Sequence, residues 1–147
     1  MVKILVVYYS VSGNVRKAAE SYVLSYGGDL LELKCLTNYR GFIGGMRGVI
    51  SAITKGTPHN EPVTVDFENY DKIVVCGAVW GGSIASPVRA FLLEYGDRLK
   101  EVEYLISRGS AKNEYTEVFD EMDNLCKKKR TAAISLRQGE TITLQIQ

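Results

Sequence analysis

Short unbroken apolar runs alternate along this chain with longer stretches whose apolar residues recur every three or four positions. VKILVVY (2–8) is continuous and rich in β-branched residues, the pattern of a strand covered on both faces. From Asn14 to Tyr26, the residues Val15, Ala18, Ala19, Tyr22, Val23 and Tyr26 share one side of a predicted helix, which Gly27-Gly28 stops. LLELKCL (30–36) alternates Leu31, Leu33 and Cys35 with Glu32 and Lys34, which predicts a less buried strand. A glycine-rich region runs from Thr37 to Pro62. Within it Ile43 to Lys55 predicts a helix with Met46, Val49, Ile50 and Ile53 on one face. YDKIVVCGAVW (70–80) is a second strongly apolar strand, and Pro87 suits the first turn of a helix carrying Val88, Phe91, Leu92 and Tyr95. VEYLIS (102–107), Glu114 to Lys127 and TAAISL (131–136) predict a further strand, helix and strand.

This order predicts an α/β fold: one domain, residues 1–147, built on an open, parallel, doubly wound sheet of five strands. Beyond Leu136 the Gln138-Gly139 turn and the alternation of Ile142, Leu144 and Ile146 predict a closing strand. The 147 residues are 46% hydrophobic and 24% charged, which excludes a disordered chain. A formal net charge of +1 gives no overall footprint for nucleic acid or an anionic membrane. The charge is nonetheless uneven, net +4 over residues 1–60 and −3 over residues 61–147, a bias that suits a phosphorylated ligand or scattered surface lysines equally. Cys35, Cys76 and Cys126 show no CxxC spacing, and no segment reaches the ~18 apolar residues of a membrane span. A reduced, cytoplasmic setting is expected.

In an open α/β sheet, ligands bind beyond the carboxyl ends of the strands. The first loop there, YYSVSGN, offers Ser10, Ser12 and Asn14 as short hydrogen-bonding side chains, and Gly13 lets the backbone approach closely. With the free N–H groups of Asn14, Val15 and their successors, this suits a phosphate without a lysine. It also suits a plain helix cap made by Ser12 or Asn14. The second loop, Ala78, Val79, Trp80, Gly81 and Gly82, puts the only tryptophan beside bare backbone, fit for a flat heteroaromatic ring or for a lid on the core. The third, Ser107, Arg108, Gly109 and Ser110, repeats the small polar composition, with Arg108 facing a ligand or solvent. His59 stands alone in a Pro-flanked loop, and KKKR (127–130) reads as positive charge at a helix end. No catalytic side chain and no metal-ligand set is identified.

VVYYSVSGNVRKAAE and YDKIVVCGAVWGGSIASPVRAFL resemble two of the three cofactor loops of the flavodoxin-like family, and ISRGSAKNEYTEVFDEM resembles the third more loosely. The resemblance covers roughly the first 125 residues. It implies strand order 2-1-3-4-5 and non-covalent FMN. Ser10, Ser12, Gly13, Asn14 and Val15 would then hold the phosphate, Ala78 to Gly82 one side of the ring, with Trp80 near its face, and Ser107 to Ser110 the other. An electron-transfer carrier serving a redox partner protein or a small-molecule donor or acceptor is the leading expectation. A small FMN-dependent NAD(P)H:quinone-type reductase and a cofactor-free binding module are the alternatives. The family is generally acidic where this chain is nearly neutral. It closes on a fifth helix where these residues read as a turn and strand. A homodimer covering the face beside the first helix is therefore expected, and residues 39–56 are a candidate lid.

Overall fold

The computed structural model describes residues 2–142. Five parallel strands form the sheet: β1 (Ile4–Tyr8), β2 (Asp29–Glu32), β3 (Lys72–Trp80), β5 (Glu101–Arg108) and β6 (Ala132–Arg137). They lie in the order β2-β1-β3-β5-β6, which is the expected 2-1-3-4-5 when the parallel strands alone are counted. A strand between β3 and the helix that starts near Pro87 was not expected. The two-residue β4 (Ser83–Ile84) turns back antiparallel on the end of β3, pairing Val79 with Ile84 and Trp80 with Ser83. Gly81 and Gly82, at φ 55° and 81°, supply the two positive φ values that such a tight hairpin demands.

Helix α1 (Asn14–Tyr26) follows β1, α2 (Gly41–Ile53) follows β2, α3 (Ser86–Tyr95) follows β4 and α4 (Thr116–Cys126) follows β5. Period-two alternation splits β1 and β3 between two cores. Ile4, Val6, Tyr8, Val74 and Cys76 pack with Val15, Ala18, Ala19 and Tyr22 of α1. Leu5, Val7, Ile73 and Val75 pack on the other face with Val88, Phe91 and Leu92 of α3 and Val118, Phe119 and Met122 of α4. The α3 and α4 helices approach closely where α3 ends: a β-carbon on Gly96 would stand 2.6 Å from the Cys126 Cα. Gly96→Ala is therefore expected to cost about 1–3 kcal/mol by forcing α4 outward, read as a lower urea midpoint with an unchanged slope.

Two expectations need correction. The strand at 30–36 ends at Glu32, and Cys35 makes only an isolated bridge to Asn60. Helix α2 buries not its large apolar residues but Gly44, Gly48 and Ala52. Beside α1, Ile134, Leu136 and Ile142 pack against the α1 cluster, and the Ile142 N–H donates to Ser21 Oγ at 3.1 Å. Of the closing strand expected through Leu144 and Ile146, residues 143–147 lie outside the described residues. Among the described residues no helix is long and apolar enough to cross a membrane.

Candidate functional site

The parallel register aligns Tyr8 of β1 with Cys76 of β3, Cys76 with Leu105 of β5, and Ala78 with Ser107. The loops after β1, β3 and β5 therefore leave one edge of the sheet side by side. The switch point lies between β1 and β3, where the chain winds outward to β2 on one side and to β5 on the other.

At the first loop, Gly13 occupies the N-cap of α1 at φ 96°, and no side chain caps the helix. The serines and the asparagine bond within the loop instead. Ser10 Oγ accepts from the Gly13 N–H at 3.0 Å, and Ser12 Oγ accepts from Asn14 Nδ2 at 3.2 Å. The plain capping role open to Ser12 or Asn14 is not what they perform. The leading amides of α1 thus point out of the helix with its partial positive charge and without a side-chain acceptor. A β-carbon at Gly13 would meet nothing within 4 Å, so the approach is open. Val15, two residues on, is buried and anchors the helix start.

A concave space of about 250 Å³ lies in front of this helix end, lined by Ser10, Ser12, Gly13, Arg16, Glu32 and Arg40. A second, of about 450 Å³, continues from it past Tyr9, Ser10 and Glu32 to Cys35, Tyr39 and Arg40. The two arginines escaped the sequence reading because they belong to different elements. Arg16 sits in the first turn of α1 and Arg40 at the N-cap of α2; only the parallel β1-β2 pairing brings them together. Arg16 donates to the Tyr8 hydroxyl at 3.3 Å and to Glu32 Oε2 at 3.2 Å. The seat therefore carries two cations against one carboxylate, where the loop residues alone promised an uncompensated phosphate.

Trp80 is half-buried in an aromatic cluster, its ring centroid 6.1 Å from that of Tyr9 and 5.0 Å from that of Tyr39. Helix α2 lies over it: a β-carbon on Gly48 would stand 3.3 Å from the indole, and one on Gly81 would stand 3.1 Å from Ile53. The segment expected as a lid thus already rests on Trp80, fastened by Ser51 Oγ donating to Ser86 Oγ at 2.7 Å. Ala78 and Val79 remain partly exposed at the strand end. Burial lifts the Tyr9 phenol to about 12, keeping it neutral at every ordinary pH.

At the third loop Ser107 is buried between strands. Arg108 has a task its sequence position did not reveal. Nearly buried, it donates through Nε to Ser135 Oγ at 2.8 Å and through Nη1 to the Ser110 carbonyl, tying β5, β6 and their loop together. Ser110 Oγ accepts from the N–H groups of Lys112 and Asn113, so it shapes the loop. Gly109 stays exposed. In KKKR, Lys127 ends α4 in the left-handed conformation and Arg130 pairs with Asp123 at 2.7 Å.

A buried polar cluster, equally invisible in the sequence, fixes the β3-β4 hairpin. Arg89, 2% exposed, donates to Glu121 Oε1 and to Ser83 Oγ, each at 2.7 Å. Lys55 Nζ, at the end of α2, donates to the same serine at 2.7 Å. Burial raises the Glu121 carboxyl, but hydrogen bonds from Ser83 and Arg89 and the charges of Arg89 and Lys55 outweigh it and leave its pKa lowered.

Parallel strands in this order, flanked by helices on both faces with loops converging at the switch point, define a flavodoxin-like fold. No family description and no curated protein sequence matches the chain. Solved structures do. A flavoprotein from Lactobacillus acidophilus, crystallised with FMN, superposes with TM-score 0.75 at 21% identity, covering 94% of each chain. A flavodoxin from the Archaea superposes with TM-score 0.54 at 18% identity over 96% of this chain and 85% of its own. A short-chain flavodoxin associated with a bacterial microcompartment gives 0.53 at 17% identity, over 94% and 85%. At these identities the similarity establishes the shared fold.

Proposed function

We propose that this chain binds FMN non-covalently and serves as a flavin redox protein, an electron-transfer carrier. The observation that carries the reading is the uncapped start of α1, ringed by Ser10, Ser12 and Gly13 at the switch point of the sheet. The fold it shares with a flavoprotein crystallised with FMN supports the same reading.

The groups present fit the cofactor's phosphate. Amides of the first α1 turn and the serine hydroxyls donate hydrogen bonds, and Arg16 and Arg40 supply charge. The loops at Ala78–Gly82 and Ser107–Ser110 leave the same edge of the sheet and would border the flavin ring. FMN, when bound, supplies reversible electron transfer. The chain's part would be to position it, with Trp80, Tyr9 and Tyr39 excluding water beside it. Three free cysteines accord with a reduced, cytoplasmic setting.

Purified protein is expected to be yellow, or to turn yellow with FMN, with quenching of its one tryptophan. Colourless protein indifferent to FMN would instead mark a binding module without a cofactor. Arg40→Ala is expected to weaken FMN binding about tenfold, with a shallower dependence on salt than the wild type shows; isothermal titration in a salt series checks both. A second reading, a small NAD(P)H-dependent reductase of quinone-like acceptors, draws support from the net charge of +1, which gives the chain no net negative charge for long-range steering toward a basic partner. Rapid-mixing reduction by NADPH separates the two, since a carrier accepts electrons only through another protein.

A further inference from the structure

Helix α2 is inverted relative to an ordinary surface helix. Glycines and an alanine face the protein, while Phe42, Ile43, Met46, Val49, Ile50 and Ile53 face outward, between 43% and 83% exposed. Together they present on the order of 700 Å² of contiguous apolar side chain, above the patch a monomer usually shows and close to one side of a standard protein interface. The geometry points to a homodimer in which the α2 helices of two copies pack antiparallel across a two-fold axis.

Three features select a second copy as the occupant. Phe42, Met46, Val49 and Ile53 follow the i, i+4, i+7, i+11 spacing of a helix-pairing seam. Those four positions are also symmetric about the midpoint between Arg47 and Gly48. An antiparallel pair therefore sets Phe42 against the partner's Ile53 and Met46 against the partner's Val49, the self-complementary contact that a two-fold interface requires. Finally, the seam crosses no charge. Arg47 is the one charged residue in α2, and it lies at the flank, donating to the Asn38 carbonyl at 3.0 Å. A lipid surface is the poorer fit. An interfacial helix carries a basic polar face opposite its apolar one, whereas the face of α2 opposite its seam is packed on Tyr39 and Trp80. Pairing would also clamp α2 over the Trp80 cluster.

Sedimentation equilibrium tests this without reference to any cofactor. The wild type is expected to be dimeric at micromolar concentration. Met46→Glu, at an exposed position that leaves the far-ultraviolet circular dichroism unchanged, is expected to raise the dimer dissociation constant roughly 100-fold. An equimolar mixture of Met46→Cys and Val49→Cys proteins, each in a Cys35→Ser background, is expected to give a disulfide-linked dimer of one copy of each on mild oxidation. A wild type that stays monomeric at 100-fold higher concentration would overturn the proposal. So would a dimer indifferent to Met46→Glu, or a monomer that co-sediments with phosphatidylserine vesicles.

Discussion

Glu121→Ala is expected to destabilise the protein by about 3–5 kcal/mol, because it leaves the Arg89 guanidinium buried without its counter-charge. Arg89 is 2% exposed, and besides Glu121 it is left with hydroxyl and carbonyl acceptors at Ser83, Ile84 and Gly56. A thermal midpoint lower by roughly 10 °C follows for a chain of this length. Replacing both partners, Arg89→Met with Glu121→Leu, is expected to recover most of the loss, since the penalty comes from a stranded charge and not from a missing contact. The same pair sets a pH dependence. The Glu121 carboxyl is held below its ordinary range in the folded state, so its contribution is complete above the unfolded glutamate pKa. It is lost as pH falls through the lowered folded value. Urea titrations of wild type and the double variant across the acid range will show the wild type losing stability more steeply. Parallel curves would assign the acid sensitivity elsewhere.

The second large effect separates stability from binding at one residue. Ser12 is exposed and stands just before the uncapped start of α1. An aspartate there meets the positive end of the helix and is expected to stabilise the fold by about 0.3–1 kcal/mol. The same carboxylate would oppose a phosphate seated at that helix end, and Coulomb repulsion at close range is expected to lower FMN affinity roughly 100-fold or more. Ser12→Asp is thus expected to melt at or above the wild-type temperature while losing FMN, as read by scanning calorimetry and by titration of Trp80 fluorescence. Loss of both together would mean that Ser12 shapes the fold and not the seat.

What the chain announces in its sequence is whatever depends on neighbours in sequence. The helix from Asn14 to Tyr26 matches its expected limits because its period and its glycine stop are both local. The three loops reach one edge because parallel pairing makes every strand end there. Helix α2 was misread for a physical reason. Periodicity identifies the apolar face, but it does not say whether the neighbouring surface has room for it. Tyr39 and Trp80 approach so closely that only Gly44 and Gly48 fit beneath. Arg16 and Arg40, 24 positions apart, line one space, and Arg89 and Glu121, 32 positions apart, form one ion pair. Their meeting is a product of topology, and no spacing along the chain encodes it.

FMN binding by this chain depends on the helix start between Gly13 and Arg16 serving as a phosphate seat. The most direct measurement is a pair of calorimetric titrations of the wild type, one with FMN and one with riboflavin, which differ only in the phosphate. Charge-assisted hydrogen bonds at this seat predict FMN binding tighter by roughly 100-fold or more. Equal affinities for the two, or no binding of either, would contradict it.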